Sequence, residues 1–197
     1  MPRSLVPSAG LIAALALAAC ADETPAPDVP GSGALADSAA TASDLVLGPA
    51  GLGRLGATTP FDTAAVRAAL PAGFTAELRS VETAAGLVPV VWALRDGQLV
   101  LELYTDAAGT HVGRIDAPGE SVVGPGGART GQTFADVGGA DMDCEVGMDE
   151  LGGRAVCRGE GVSYVFASQS LVGRSALPPA DSLQGALLER LVWRADG

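Results

Sequence analysis

The chain has 197 residues, of which 23 are acidic and 12 are basic, so its formal net charge at pH 7 is −11. A surface this acidic argues against binding to nucleic acid and against adhesion to anionic lipid headgroups by charge. Every basic residue is an arginine, which excludes a lysine Schiff base, a catalytic lysine and a Walker-type phosphate loop.

The amino terminus has the pattern of a bacterial lipoprotein signal. Arg3 precedes an apolar run from Leu11 to Ala19 that is too short to span a bilayer, and Cys20 follows at a small-residue cleavage point. Alkylation of this cysteine by a diacylglyceryl group, with acylation of the new amino terminus, would anchor the chain stably. We therefore predict a signal peptide over residues 1–19 and a lipid on Cys20. An ordinary secretory signal with an incidental cysteine is the alternative.

Residues 20–50 are predicted to be a lipid-anchored, disordered tether. The segment is rich in Ala, Asp, Pro, Ser and Gly, and it lacks the apolar periodicity that would offset the entropy of ordering it. Ala21, rather than an aspartate, follows the lipid-bearing cysteine. By similarity to enterobacterial sorting rules, this favours the outer membrane, with the domain facing the periplasm.

A single domain is predicted over residues 51–197, and it begins with a short helix. Thr59 suits the N-cap and Pro60 the first helical position. The helix is expected to end near Leu70, because Pro71 and a glycine follow.

Strand patterns dominate the rest of the domain. Asp96-Gly97 is typical of a type I′ hairpin turn. A second short helix is expected over Asp181–Leu188, so the fold class is α+β with a mainly antiparallel sheet. The predicted strands are Phe74–Val81, Leu87–Leu94, Leu99–Tyr104, His111–Ile115, Arg154–Cys157, Val162–Ala167 and Leu191–Trp193.

The cysteines support an oxidising compartment. With Cys20 assigned to lipid, Cys144 and Cys157 remain as a pair. Disulfides persist in the periplasm and on cell surfaces. Metal binding is the weaker alternative, because zinc takes about four ligands and His111 is the single histidine of the chain. We therefore predict one Cys144–Cys157 disulfide.

No residue pattern in the sequence identifies a reaction. His111 would have to serve any Ser-His-Asp or Cys-His site, and no nucleophile elbow accompanies it, so we interpret it as a surface or capping residue. An acidic stretch invites a calcium interpretation, but Val146 and Gly152 stand where an EF-hand needs glycine and glutamate. We interpret that stretch as a solvated loop; its members are Asp141, Asp143, Glu145, Asp149 and Glu150.

Two further features are interpreted structurally. The Gly124–Gly127 loop precedes neither a lysine nor a helix start, so it is not predicted to bind phosphate. Four aromatic residues lie in strand patterns, where packing in the core or on a sheet face is expected. They are Trp92, Tyr104, Tyr164 and Trp193.

Three segments together resemble the RpoE-regulated lipoprotein family, whose members are envelope lipoproteins of unknown biochemical function. They are Gly51–Asp62, Cys144–Cys157 and Leu177–Arg194, in the family's order, and they span residues 51–194. The resemblance implies an envelope-stress regulon. It implies no reaction and no catalytic residues.

The function expected from the sequence is a non-enzymatic envelope lipoprotein that binds a protein partner or maintains the envelope. We predict no catalytic, metal or cofactor site and no nucleic-acid partner, and the oligomeric state is open. A lysozyme-type inhibitor is one alternative, since such inhibitors are small disulfide-bonded periplasmic lipoproteins and lysozymes are basic. A hydrolase that uses Asp141, Asp143 and Glu145 is the other.

Overall fold

A computed structural model describes residues 45–83 and 86–195. Cys20, the predicted signal peptide and residues 20–44 of the predicted tether lie outside the described residues. No helix of the described ranges is long and apolar enough to cross a membrane.

The described residues form one α-helix and eleven strands, together with short 3₁₀ turns. In chain order these are β1 (Leu45–Gly48), β2 (Gly51–Leu52), α1 (Thr63–Ala69), β3 (Phe74–Thr83), β4 (Gly86–Arg95), β5 (Gln98–Thr105), β6 (Val112–Ala117), β7 (Val122–Val123), β8 (Asp143–Val146), β9 (Arg154–Gly159), β10 (Val162–Ala167) and β11 (Leu187–Arg194).

Eight of the strands form one antiparallel sheet with the order β3-β4-β5-β6-β11-β10-β9-β8. The sheet consists of two four-stranded meanders, β3 to β6 and β8 to β11, each connected strand to strand along the chain. The meanders meet where β6 pairs with β11, from Leu191 opposite Ala117 to Arg194 opposite Arg114. The mainly antiparallel sheet predicted from the sequence is thus confirmed.

Two hairpin turns follow from local chemistry. Asp96 and Gly97 have φ angles of 52° and 75°, as a type I′ turn requires at both central positions. Glu160 and Gly161, between β9 and β10, have φ angles of 51° and 74°. The Asp96-Gly97 turn was predicted, and its geometry matches the right-handed twist of the two strands that it connects.

The core lies on one face of the large sheet, called here the core face. Helix α1 and a small sheet of order β2-β1-β7 contribute to this core. Trp193 of β11 is buried, and its indole Nε1 donates a hydrogen bond to the carbonyl of Pro49 over 2.8 Å. Phe134 and Phe166 meet edge to face with ring centroids 5.2 Å apart. These contacts fix the covering layer on the sheet.

Helix α1 begins three residues later than the sequence pattern indicated. Its N-cap is Asp62, whose carboxylate accepts hydrogen bonds from the amides of Ala64 and Ala65 over 2.9 and 2.8 Å. The predicted cap, Thr59, is instead buried, and its hydroxyl accepts a hydrogen bond from the amide of Gly56. A carboxylate also suits the positive end of the helix dipole, which explains why the cap is Asp62.

The predicted tether boundary is wrong by six residues. Leu45 and Leu47 of β1 are buried in the core, and β1 pairs with β2 and with β7. Residues 45–50 therefore belong to the domain.

The predicted second helix is also wrong. A 3₁₀ turn spans Ala180–Leu183, and β11 already begins at Leu187. Leu188 lies opposite Phe166 in the sheet and is buried. Burial in this strand outweighs the local helix signal of the preceding residues.

The disulfide prediction is confirmed. Cys144 and Cys157 are bonded, and they lie directly opposite each other in the β8–β9 ladder. The bond therefore fastens β8, the short edge strand, to the sheet. The acidic stretch was predicted to be a loop, but its residues Asp143–Val146 form strand β8.

We predict that Cys144→Ser lowers the free energy of unfolding by about 2–5 kcal/mol, because the unfolded chain loses a cross-link between residues 13 apart. Thermal unfolding in oxidising buffer measures the change. Reductant should lower the Tm of the unsubstituted protein and leave that of the variant unchanged. Equal Tm values for both proteins in oxidising buffer would contradict the prediction.

Candidate functional site

The face of the large sheet opposite the core face, called here the outer face, carries the polar residues. Successive side chains along a strand point to opposite faces, so residues that pair across neighbouring strands form a row on this face. The row continues from the first meander into the second, because Asp116 of β6 lies opposite both Glu102 of β5 and Val192 of β11. Its members are Glu77, Trp92, Glu102, Asp116, Val192, Ser163, Arg158 and Asp143.

The centre of this row is a buried carboxylate. Asp116 is fully inaccessible to solvent, and it accepts two hydrogen bonds from Arg114, at 2.7 Å from Nε and 3.0 Å from Nη2. Arg190 of β11 adds a third contact, with Nη1 3.4 Å from the carboxylate. A buried carboxylate is tolerated where charged donors replace its water shell in this way. Asp116 and Arg190 thus connect the two meanders.

The cluster extends to β5 through Glu102 and Tyr104. The Tyr104 hydroxyl donates to Glu102 over 3.2 Å, and Glu102 lies 3.8 Å from Nη1 of Arg190. The Arg114 guanidinium stacks 4.1 Å from the centroid of the Tyr104 ring. Burial and the neighbouring carboxylates of Glu102 and Asp116 raise the pKa of Tyr104 to about 12. We call these five residues the outer-face cluster: Glu102, Tyr104, Arg114, Asp116 and Arg190.

Arg114 also reaches out of the sheet. Its Nη1 donates a 3.0 Å hydrogen bond to Glu150, which lies in the segment between β8 and β9. Burial acts to lower the pKa of Arg114, but its contacts with Asp116 and Glu150 reverse the direction and raise it. The pKa of Glu150 is lowered by a bond to its own backbone amide and by Arg114. One arginine therefore positions both a buried carboxylate and a surface loop.

That loop forms one wall of a groove on the outer face. The groove has a volume of about 750 Å³ and lies between residues 147–151 and strands β8 to β11. Val156 and Val192 are buried among its lining residues, whereas Met148 is 79% exposed. The volume is that of a typical small-ligand or peptide-segment site. We take this groove as the candidate functional site.

Some of the groove's charged side chains form ion pairs and others do not. Arg158 forms an ion pair with Glu145, and Glu150 is held by Arg114. Arg194 also lines the groove, and no ion pair joins it to any residue of the described ranges. Asp149, at the rim, holds a left-handed backbone with φ 50°. The charge of Arg194 also helps to lower the pKa of Glu150. The groove therefore offers two buried valines, an exposed methionine and, outside the ion pairs, the guanidinium of Arg194 and the carboxylates of Asp149 and Glu160.

His111 lies away from the groove. Its Nδ1 is 2.9 Å from the Thr110 hydroxyl and 3.7 Å from the carboxylate of Asp106, and the side chain is partly exposed. The main role of Asp106 is to accept hydrogen bonds from the amides of Thr110 and His111 in the β5–β6 turn. The surface interpretation of His111 agrees with this position.

The acidic stretch is divided by the fold. Asp143 and Glu145 lie on exposed positions of β8, Asp141 ends a preceding 3₁₀ turn, and Asp149 and Glu150 belong to the groove wall. Within the described ranges, no three potential metal ligands lie together. The Gly124–Gly127 segment accepts a hydrogen bond from the Tyr164 hydroxyl at the carbonyl of Pro125.

The four aromatic residues singled out in the sequence divide equally between the two faces of the sheet. Tyr164 and Trp193 are buried in the core, as the strand patterns indicated. Trp92 and Tyr104 lie on the outer face, and Arg79 stacks 5.7 Å from the Trp92 ring. The Trp92 indole Nε1 is buried without a hydrogen-bond partner among the described residues.

Sequence reasoning missed the outer-face cluster and the groove. A signal was present, because Glu102/Tyr104 and Arg114/Asp116 are polar pairs two positions apart within strand patterns. Such spacing places both members on one face of a strand. To recognise the cluster, one must also know that β6 pairs with β11, and these two strands are far apart in the sequence.

The fold and site define an α+β domain with a single large antiparallel sheet, a core on one face, and a charged cluster beside a groove on the other. A family model described as a protein of unknown function, DUF1131, matches residues 36–195. The chain therefore belongs to the DUF1131 family.

One solved structure supports the fold assignment. The uncharacterized protein yfeY from Escherichia coli has a TM-score of 0.56 and 19% sequence identity, with 77% of this chain and 99% of that chain covered. At this identity the similarity concerns the fold alone. No curated protein matches the sequence. The resemblance to RpoE-regulated lipoproteins stays a prediction.

We predict that Asp116→Ala lowers the free energy of unfolding by about 3–5 kcal/mol, because it leaves two arginines of the sheet without their shared carboxylate. Urea denaturation measures the change. Asp143→Ala is the matched control, since Asp143 is exposed in the same cross-strand row, and its effect should stay within about 0.5 kcal/mol. Similar losses in both variants would refute the assigned role of Asp116.

Proposed function

We propose that this DUF1131 protein is a lipid-anchored envelope protein whose domain binds a partner in the outer-face groove and catalyses no reaction. The observation that carries the proposal is the groove of about 750 Å³, whose lining includes two buried valines, an exposed methionine and the guanidinium of Arg194. Concave sites of this volume commonly serve binding.

The chemistry of the groove indicates what the partner presents. Met148 is flexible and exposed at the rim, which suits an apolar side chain of variable shape. Arg194 suits a carboxylate or another anionic group of the partner. We therefore propose an extended segment of an envelope protein that carries an apolar residue close to an acidic residue.

The ionisation of Glu150 does not suit a general acid. A general acid at neutral pH needs a carboxyl group with a raised pKa. The pKa of Glu150 is shifted in the opposite direction, and Glu145 is paired with Arg158. Both carboxylates are thus arranged as ion-pair partners that hold the groove walls.

The envelope location is supported by two independent features. Residues 1–19 have the pattern of a lipoprotein signal followed by Cys20, and Cys144 and Cys157 form a disulfide, a bond that persists in oxidising compartments. The domain begins by Leu45, so at most 24 residues separate it from Cys20. A flexible segment of that length would have an end-to-end distance of about 25–30 Å, enough to hold the groove off a membrane surface.

Binding in the groove can be tested by site-specific photo-cross-linking in the producing cell. A photoreactive residue at Met148 should give a discrete adduct with an envelope protein, and Arg194→Glu should abolish the adduct because the cation becomes an anion. The same residue at Leu87, which is 74% exposed on the first meander, is the matched control. Equal adducts from both positions, or an adduct that survives Arg194→Glu, would contradict binding in the groove.

The anchor can be tested separately by metabolic labelling with a palmitate analogue. We expect label on the unsubstituted protein and none on Cys20→Ala, which should also leave the membrane fraction. Cys144→Ala controls for loss of a cysteine as such and should stay labelled. An unlabelled parent protein would refute lipidation and leave the groove proposal intact.

A further inference from the structure

Within the described residues, the edge strand β3 has no strand partner on one side from Phe74 to Glu82. β3 lies at the end of the large sheet and pairs with β4 alone, over ten residues from Phe74 to Thr83. No backbone hydrogen bond reaches its free side from any other part of residues 45–83 and 86–195. Open edges of this length are unusual in proteins, since they pair readily with other strands.

The backbone groups that face the open side can be identified from Pro89. This residue has no amide hydrogen and lies opposite Ser80 in the β3–β4 ladder, so that pair exchanges no hydrogen bonds. The amide and carbonyl of Ser80 therefore point away from β4. By alternation, the same holds for Phe74, Ala76, Leu78 and Glu82.

The side chains of β3 are self-complementary about Leu78. Within one chain, Arg79 forms an ion pair with Glu77. If a second copy of β3 pairs antiparallel with the first and the two-fold axis passes at Leu78, each Glu77 also lies opposite the other copy's Arg79, so that the two ion pairs become one network of four alternating charges. The two Leu78 side chains, which are 62% exposed in the single chain, then cover each other. The outward-facing backbone groups also coincide in this register and supply about ten hydrogen bonds.

Neighbouring registers lack this complementarity. An axis at Glu77 sets the two Glu77 carboxylates opposite each other, and an axis at Arg79 does the same for two guanidinium groups. Like charges directly opposite in a sheet are destabilising, whereas opposite charges stabilise. The charge pattern therefore favours the axis at Leu78 over the axes at Glu77 and Arg79.

We propose that the protein forms a two-fold symmetric dimer in which the β3 strands of two copies pair antiparallel about Leu78. The two eight-stranded sheets become one continuous sheet of about sixteen strands. The occupant of the open edge is thus a second copy of this chain. The groove, at the β8 end of each sheet, stays uncovered.

A disulfide test reports the register directly. In the proposed pair the two Leu78 Cα atoms are about 5.5 Å apart, within the range that a disulfide bridges. The full chain purified in detergent and carrying Leu78→Cys should form a covalent dimer on mild oxidation. Leu87→Cys is the control, because Leu87 is comparably exposed but lies opposite Glu82 in the β3–β4 ladder, far from the axis, so that its two copies would be about 30 Å apart. Equal cross-linking of the two variants would overturn the register.

A charge-reversal series tests the interface without cysteines. Glu77→Arg and Arg79→Glu should each shift the full chain towards monomer in sedimentation equilibrium, with at least a tenfold weaker association. The double variant Glu77→Arg/Arg79→Glu restores opposite charges across the axis and should dimerise again. A monomeric unsubstituted chain, or a double variant that stays monomeric while its circular dichroism is unchanged, would overturn the proposal.

Discussion

The ion pair between Asp116 and Arg190 is the interaction on which the rest of the sheet depends. The two meanders share one ladder, β6 with β11, and that ladder joins segments more than seventy residues apart in sequence. A buried carboxylate with guanidinium donors on both strands discriminates strongly between registers. A shift by one residue would move Asp116 to the core face, where it would be buried among apolar side chains. The polar contact therefore specifies how the two halves of the domain join.

The same cluster determines the geometry of the candidate site. Arg114 binds Asp116 with one edge of its guanidinium and Glu150 with the other. The position of the groove wall is therefore fixed relative to the centre of the sheet. At the opposite end of the segment, the Cys144–Cys157 bond fastens the strand from which the wall departs. The loop that contains Asp149, whose backbone is left-handed, is thus held at two points, and these two contacts set the position of the groove wall.

Local features of this fold were readable from the sequence, and non-local ones were not. The Asp96-Gly97 turn and the strand Val162–Ala167 follow from turn chemistry and alternation over a few residues. Strand β8 was missed because Asp143 and Glu145 have low strand propensity, and the bond from Cys144 to the neighbouring strand overrides that preference. The last helix was wrongly predicted for a related reason, since Leu187 and Leu188 gain more from pairing with β10 than from helix formation. The candidate site required long-range pairing and was therefore out of reach of sequence patterns.

The two ends of the large sheet are suited to different tasks. At the β8 end, the strand is four residues long, cross-linked, and followed by the groove wall, so it offers little free edge for pairing. At the β3 end, Phe74 to Glu82 pair with no second strand of the described residues, and the charges of Glu77 and Arg79 complement those of a second copy. Since the dimer proposed above uses one end and the groove occupies the other, each dimer would present two grooves. Two grooves on one dimer would raise the effective concentration of a second binding event, which strengthens attachment to a repeated partner without any new contact.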